Sequence, residues 1–134
     1  LLLGFSVAGS GKATDRPETV SVSGKVTYKG EPLKNGRVIF TPDDPKARPA
    51  VGDIDANGNY TLTTYELGDG ALVGSYKISI EAYDPNADDP DDLDAKLKML
   101  IPKKYSNPAT SELVATISES DGSKQIDLEL EGEL

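Results

Sequence analysis

The segment VSVSGKVTYKGEPLKNGRVIFTP, residues 20–42, decides the fold class of this chain. In its first half, Val20, Val22 and Val26 alternate with polar residues such as Ser21 and Ser23. A period of two is typical of a strand with one buried and one exposed face. Turn-forming residues in 29–32 and 34–36 interrupt the pattern, and residues 37–41 resume it. The segment is therefore predicted to form an opening hairpin against which the rest of the chain packs.

Similar short segments follow along the chain. Residues 50–55 and 60–64 flank Asn57-Gly58, which is the strongest local signal for a β-hairpin. Residues 74–83, 112–118 and 124–130 have the same alternating pattern and predict three further strands. About seven short strands with turn signals every ~8–12 residues favour a β-sandwich. We expect one all-β domain in residues 20–131, preceded by a tether in residues 1–19.

Composition excludes several classes of function. The chain has 134 residues, of which 37% are hydrophobic, enough for one thin core. It contains no Cys and no His, which removes disulfides, thiolate metal sites and the commonest general base. The net charge is −9 and the basic residues are scattered, so neither nucleic acid nor an anionic membrane is an expected partner. We expect a protein that is not an enzyme and that binds no cofactor.

The first ten residues, LLLGFSVAGS, are similar to the end of a signal peptide. Val7-Ala8-Gly9 would suit a lipoprotein cleavage site, but Ser10 stands where a lipid-bearing Cys is required. Either this Cys is absent or altered here, or cleavage is of the ordinary small-residue kind. The alternatives to export are an unrelated apolar remnant and a first strand of the fold. We expect an extracytoplasmic protein (periplasm, outer membrane or cell surface) that contacts a membrane only through an N-terminal lipid anchor.

An acidic insertion, DPNADDPDDLD, occupies residues 84–94. Carboxylates are the hard oxygen ligands that Ca²⁺ prefers. The alternative is a solvated loop, and the sequence favours it because Pro and Asp indicate exposure. A short helix is expected from Asp91 through Leu100, with leucines at helical spacing. The weak metal-ligand candidates are Asp88, Asp89, Asp91 and Asp92.

A second calcium pattern, D-x-D-x-N-G, begins at Asp53. The bidentate Glu that the pattern requires at its twelfth position is replaced by Thr64. The segment also lies between predicted strands rather than helices. A turn around Asn57 and Gly58 is therefore the favoured interpretation.

Six tyrosines provide the candidates for ligand contact. Tyr28, Tyr60 and Tyr76 are in phase with apolar residues, so they are expected to pack in the core with their hydroxyls at the rim. The remaining three lie near strand ends and loops and are the candidates for contact with a glycan or a peptide: Tyr65, Tyr83 and Tyr105.

An internal isopeptide bond between Lys and Asp is a further option for a surface sandwich. Its candidates are Lys25, Lys29 and Asp127, with Glu81 as the catalytic acid. Each lies opposite the apolar set of its own strand and should face solvent. The pattern argues against this cross-link, which needs a buried acid.

Four segments resemble the motifs of carboxypeptidase regulatory-like, transthyretin-like domains: VSGKVTYKGEPL (22–33), GRVIF (36–40), DANGNY (55–60) and GSYKI (74–78). The tail IPKKY (101–105) with TSEL (110–113) is similar to small secreted bacterial lipoproteins that carry this domain alone. The resemblance implies a seven-stranded Greek-key sandwich outside the cytoplasm, used as an accessory module. One enzymatic branch of the fold hydrolyses 5-hydroxyisourate with His and Arg residues, and a chain without His does not match it.

Three classes of function follow from these observations. The first is a non-enzymatic sandwich module with a structural or protein-interaction role at the cell envelope. The second is a module that binds carbohydrate or peptide, with assistance from calcium. The third is a hydrolase with an unrecognised site. We expect the first, with a protein or glycan partner and a monomer or weak dimer in solution.

Overall fold

The computed structural model of the protein describes residues 18–82 and 99–133. These ranges contain mostly strands, together with two 3₁₀ helices at Lys103–Ser106 and Glu119–Asp121. In chain order the strands are β1 (Thr19–Tyr28), β2 (Glu31–Pro32), β3 (Arg37–Pro42), β4 (Ala50–Asp53), β5 (Asn59–Thr61), β6 (Ala71–Leu72), β7 (Gly74–Glu81), β8 (Leu113–Ile117), β9 (Ser123–Gln125) and β10 (Leu128–Leu130).

The first sheet is built around β1, and we call it the β1 sheet. Along one side of β1 the short strands β2, β5 and β6 pair with it in antiparallel orientation. Along the other side β9 and β10 pair with it in parallel orientation, and Leu128 lies opposite Val26. A strand with partners on both sides has its backbone donors and acceptors satisfied in the ladder. The segment that decides the fold class therefore becomes the centre of this sheet.

The second sheet contains four antiparallel strands in the order β4-β3-β7-β8. Val38 on β3 lies opposite Ile80 on β7, and Tyr76 on β7 lies opposite Ala115 on β8. Residues of these strands alternate between a more buried and a more exposed face, except in β7, where Ser79 is buried between Ile78 and Ile80. We call this the four-stranded sheet.

The two sheets pack their apolar faces together as a β-sandwich. Val22 and Val26 of the β1 sheet belong to the same buried cluster as Val38 and Ile78 of the four-stranded sheet, and none of the four has exposed surface. Burying side chains of this size contributes about 1.5–3 kcal/mol each. The ring of Phe40 in the same cluster lies 5.7 Å from that of Tyr76 in a tilted pair. The predicted all-β sandwich is confirmed at this level.

The predicted opening hairpin is wrong in one respect. β1 and β3 belong to different sheets, so residues 20–42 cross from one layer to the other. The tight hairpin joins β1 to the two-residue strand β2, and its turn has positive φ at Lys29 (53°) and Gly30 (86°). Positive φ at both central residues is the type I′ geometry that matches the twist of paired strands.

The predicted hairpin around Asn57-Gly58 also crosses between sheets. β4 pairs with β3, whereas β5 pairs with β1. One bridge connects the two segments, with Val51 and Thr63 exchanging backbone bonds of 3.0 and 2.8 Å. The predicted turn itself is confirmed: the Asp55 carboxylate accepts the N–H groups of Asn57 and Asn59 at 2.8 and 3.0 Å. Gly58 adopts a φ of 87° at its apex.

The last strand is divided into β9 and β10 at Ile126 and Asp127. The Tyr60 hydroxyl crosses over Gly24 and donates to the carbonyl oxygen of Ile126 at 2.6 Å. The N–H of Lys25 bonds the Asp127 carboxylate at 3.0 Å, which takes the place of a main-chain acceptor. The side chains of Tyr60 and Asp127 thus connect β5, β1 and the divided last strand.

Two predicted segments lie outside the described residues. These are residues 1–17 and the acidic insertion, residues 84–94, with its expected helix, of which only Met99 and Leu100 are described. The N–H of Leu100 donates to the carbonyl of Ala82 at 3.0 Å, and Ile101 is buried in the core. In residues 18–82 and 99–133, no helix is long and apolar enough to cross a membrane.

Candidate functional site

A groove of about 1180 Å³ lies at one end of the sandwich, beside the start of β1. Its apolar part contains Val20 and Leu72, both nearly buried, and Val73, which is 47% exposed. Charged and polar groups make up most of the rest of the lining. The other lining residues are Glu18, Thr19, Asp44, Lys46, Ala47, Arg48, Pro49, Tyr65, Glu119 and Gly122.

The loop that carries Tyr65 into the groove is fixed by the Asp69 side chain. One carboxylate oxygen of Asp69 accepts the N–H of Thr64 at 2.7 Å, and the other accepts those of Tyr65 and Glu66 at 3.0 Å each. The Thr64 hydroxyl donates to the Gly70 carbonyl at 2.6 Å. Bonds from a charged acceptor to main-chain N–H groups are among the stronger ones in proteins. Tyr65 is therefore presented in a defined orientation before any ligand arrives.

Tyr65 forms a cation–π pair with Arg48. The guanidinium carbon of Arg48 lies 4.9 Å from the centre of the Tyr65 ring. Such a pair contributes about 0.5–1 kcal/mol at an exposed site and also orients the guanidinium. Arg48 follows a tight turn in which the Asp44 carboxylate accepts the N–H of Lys46 at 2.9 Å. Two structured loops thus meet at this pair.

The charges of the groove are of both signs. Elsewhere in the described ranges, five basic side chains form ion pairs with carboxylates: Lys29, Arg37, Lys77, Lys104 and Lys124. Lys46 and Arg48 have no such carboxylate partner within the described part of the chain. Glu18, Asp44 and Glu119 also line the groove, and Asp44 belongs to the same turn as Lys46. The lining therefore combines hydrogen-bond donors and acceptors with apolar side chains.

The structure places the three candidate tyrosines differently. Tyr65 is half-buried and lines the groove. Tyr105 is only 3% exposed, and its hydroxyl donates to the carbonyl of Glu131 at 3.2 Å. The expectation that Tyr105 is an exposed contact is wrong, because the Lys103–Ser106 helix turns its ring into the core. Tyr83 lies outside the described residues.

The three tyrosines expected in the core are there. Tyr60 and Tyr76 are each 2% exposed, and Tyr28 is half-buried. Their hydroxyls donate to the carbonyl oxygens of Ile126, Leu72 and Gly132, each at 2.6 Å. Burial raises the pKa values of Tyr60 and Tyr76 above the usual range because it disfavours the phenolate. These hydroxyls serve the fold.

The acidic residues considered as metal ligands fall partly outside and partly inside the described residues. Asp88, Asp89, Asp91 and Asp92 lie outside the described residues. Asp53 pairs with Arg37 at 3.2 Å, and the Asp55 carboxylate holds the turn described above. Within residues 18–82 and 99–133, no three acidic side chains gather closely enough to hold a metal ion.

The candidates for an isopeptide bond are exposed, as the phase of their strands predicts. Lys25, Lys29, Glu81 and Asp127 all face solvent. Lys29 pairs with Glu133 at 3.2 Å, and this hydrogen bond raises the pKa of the Lys29 ammonium. An exposed acid lacks the burial that amide formation between side chains requires.

Sequence reasoning missed three groups that shape the groove: Asp69, Lys46 and Arg48. Asp69 stands between two glycines, Gly68 and Gly70, outside every strand that the alternating pattern predicts. Asp69 accepts from N–H groups three to five residues before it, whereas the known Asp turn and capping signals place the Asp before its donors, so the sequence held no recognised signal for this contact. Lys46 and Arg48 lie in a proline-rich loop, where no periodicity predicts which way a side chain points.

Comparisons with known proteins give little help. No model of a protein family matches this chain, and no curated protein matches it. A crystal structure of a 9R-lipoxygenase from Cyanothece PCC8801 is similar at a TM-score of 0.40 and 10% identity. The match covers 92% of this chain and 18% of that chain. A likeness of this size carries no conclusion about activity.

Proposed function

We propose that this protein is a non-enzymatic module of the cell envelope with a protein-interaction role, and that it holds a peptide segment of its partner in the groove. The observation that carries the proposal is the Tyr65–Arg48 pair beside the apolar strip of Val20, Leu72 and Val73. Aromatic and Arg side chains are the residues most enriched at the centres of protein interfaces. Asp69 fixes the Tyr65 loop, so little conformational entropy is lost on binding.

The dimensions of the groove support a peptide rather than a small metabolite. Its volume of about 1180 Å³ exceeds the upper end of ordinary small-molecule sites, about 1,000 Å³. An extended peptide would place apolar side chains on Val73 and a carboxylate against Arg48. The acidic groups Glu18 and Glu119 are placed to accept N–H groups or to pair with a basic residue.

The test is a selection of displayed random peptides on the purified protein, followed by calorimetry with the selected sequences. We expect the dissociation constant to rise about tenfold or more in both Tyr65→Ala and Arg48→Ala. Arg37→Ala is the matched control because Arg37 is an exposed, ion-paired arginine outside the groove. A selection that enriches nothing, or equal losses in Arg48→Ala and Arg37→Ala, would contradict the proposal.

A carbohydrate ligand is the second candidate. Tyr65 offers a ring to a sugar face, and the mixed charges around it suit hydroxyl groups, which both donate and accept. A glycan array distinguishes the two candidates. Binding to one neutral saccharide class that depends on Tyr65, without selected peptides, would favour the sugar.

The family and the location belong to the same proposal. The motifs in residues 22–78 support a seven-stranded Greek-key, transthyretin-like sandwich, and the apolar residues 1–9 support export, with an N-terminal lipid anchor as the membrane contact. We expect a monomer or weak dimer, and calcium remains an option for the acidic insertion. Fractionation of cells that express the full precursor tests the location: an uncleaved cytoplasmic product would contradict it.

A further inference from the structure

The β8 edge of the four-stranded sheet differs in its backbone partners from the other strand edges of the sandwich. At the β4 edge, Val51 exchanges two backbone bonds with Thr63. Beyond β10, the Tyr105 hydroxyl both accepts the N–H of Glu131 and donates to its carbonyl. β8 is the remaining edge of the four-stranded sheet, and the Val114 side chain there is 71% exposed.

The hydrogen bonds of β7 show which groups of β8 point outward. The Ser75 carbonyl of β7 accepts the N–H of Asp43 on the β3 side at 2.9 Å. The Ile78 carbonyl accepts the Ser111 hydroxyl on the β8 side. These directions alternate along a strand, so the backbone groups of Gly74, Tyr76 and Ile78 point towards β8. The N–H and C=O groups of their partners Ile117, Ala115 and Leu113 therefore point towards β7. The N–H and C=O groups of Val114 and Thr116 therefore point away from the sheet.

The start of this edge is held rigidly. Ser111 is 1% exposed, and its hydroxyl accepts the N–H of Leu113 at 3.2 Å. Glu112 adopts a φ of 66°, a left-handed conformation that is rare outside glycine. The five residues of β8, LVATI, carry no charge. The edge is therefore a short, fixed and uncharged template.

One lysine, Lys124, whose side chain is 35% exposed, covers the far end of the template. Lys124 donates to the Thr116 carbonyl at 2.9 Å and lies 3.6 Å from the Asp121 carboxylate. Lysines at sheet edges discourage unwanted strand pairing, but a flexible ammonium is displaced more readily than a packed element. The outward carbonyl of Thr116 thus accepts a hydrogen bond from a Lys124 side chain that a partner strand can displace.

We propose that β8 accepts an extended segment of a partner protein by β-strand addition, and that this segment has β-branched residues at its centre and basic residues at its ends. The site goes beyond the groove, since none of the residues 113–117 lines it. Main-chain bonds to Val114 and Thr116 supply the affinity, and the exposed Val114 side chain supplies a cross-strand contact.

The net charge of the protein favours a partner segment with basic ends over a second copy of the chain at the β8 edge. Each copy carries a net charge of −9. In a symmetric antiparallel pairing, Val114 would lie opposite Thr116 of the other copy, which brings each Glu112 next to the other copy's Glu119. The net negative charge of both copies opposes the pairing, even with Glu112 ion-paired to Lys104 at 3.2 Å, whereas Lys or Arg at the ends of a partner segment is attracted by that net charge.

The first experiment uses the whole protein and the capped peptide Lys-Val-Thr-Val-Thr-Val-Lys, followed by amide NMR. We expect the amides of Val114 and Thr116 to shift and to exchange more slowly with solvent. A peptide with Glu in place of both Lys should bind at least about tenfold more weakly at low salt. A peptide N-methylated on alternate residues, which removes donors and keeps side chains, should not bind. Equal binding of the methylated peptide would overturn the proposal.

Protein variants give effects of opposite sign. Val114→Pro removes an outward donor without touching the β7 ladder, so it should abolish binding, whereas the matched control Val114→Thr should preserve it. Lys124→Met uncovers the Thr116 carbonyl and should strengthen binding several-fold. If Val114→Pro unfolds the protein, the Lys124→Met result still decides. Peptide binding unchanged in Lys124→Met, or dimerisation of that variant in sedimentation, would overturn the choice of partner.

Discussion

Replacing Gly24 by Ala should destabilise the protein more than any other single methyl group added to β1. A Cβ at this position would overlap the carbonyl oxygen of Ile126 and lie 2.6 Å from its carbonyl carbon and 2.9 Å from Cε1 of Tyr60. The strand must therefore move away from β9 and β10. Three bonds depend on this contact: Tyr60 hydroxyl to Ile126, Ile126 N–H to the Ser23 carbonyl, and Lys25 N–H to Asp127.

At about 1 kcal/mol each, the three bonds amount to about 3 kcal/mol, to which backbone displacement adds about 1–3 kcal/mol. The lower entropy of the unfolded Ala chain returns up to about 1 kcal/mol. We expect a net loss of about 3–5 kcal/mol in the free energy of unfolding, measured by urea denaturation with circular dichroism. Gly30→Ala is the matched control: its Cβ meets no atom within 4 Å, and only its φ of 86° opposes Ala.

A double-mutant cycle tests the explanation. Tyr60→Phe alone should cost about 1–2 kcal/mol because it leaves the Ile126 carbonyl unpaired. In that background Gly24→Ala should cost about 1 kcal/mol less than in the wild type, since one of the three bonds is already absent. A loss in Gly24→Ala no larger than in Gly30→Ala, or strict additivity with Tyr60→Phe, would refute the reasoning.

Three further outcomes follow from the structure. Glu112→Gly should raise the free energy of unfolding by about 1 kcal/mol, because glycine adopts the φ of 66° without strain; an unchanged denaturation midpoint would contradict this. Asp69→Ala should lower the free energy of unfolding by about 2 kcal/mol and speed hydrogen exchange at the amides of residues 64–66. Slow exchange at these amides in the variant would show that other groups hold the loop. Stability should be at its full value below pH 10 and fall above it, because burial raises the pKa of folded Tyr60 above that of the unfolded chain; Tyr60→Phe should show a shallower fall in an alkaline titration.

The sequence predicts the strands of this protein better than their partners. Alternation identifies β1, β7 and β8 because one face of each strand meets the core and the other meets solvent. Pairing depends on contacts far apart in sequence, which a local pattern does not contain. For this reason the segments on either side of Asn57-Gly58 were predicted to form a hairpin, although each pairs with a different sheet.

The candidate site is predictable only in part. Tyr65 was identified from its position beside a strand end, and the same argument selected Tyr105, which the structure buries. The difference arises because the Lys103–Ser106 helix packs against β7 and the Tyr105 hydroxyl bonds Glu131, tertiary contacts with no signature in residues 101–107. Arg48 reaches Tyr65 across 17 residues of chain, and no spacing rule relates the two.

The parallel pairing of β1 with β9 and β10 also determines how the domain responds to tension. The chain enters β1 at Thr19 and leaves β10 at Leu130, which lies opposite Tyr28 at the other end of β1. Nine steps of about 3.3 Å put the two points roughly 30 Å apart along the strand direction. Pulling them apart slides the strands along each other, so the hydrogen bonds between them are loaded together in shear rather than broken one after another. Mechanical force applied at both ends of this domain is therefore borne first by its first and last strands, before the sandwich core separates.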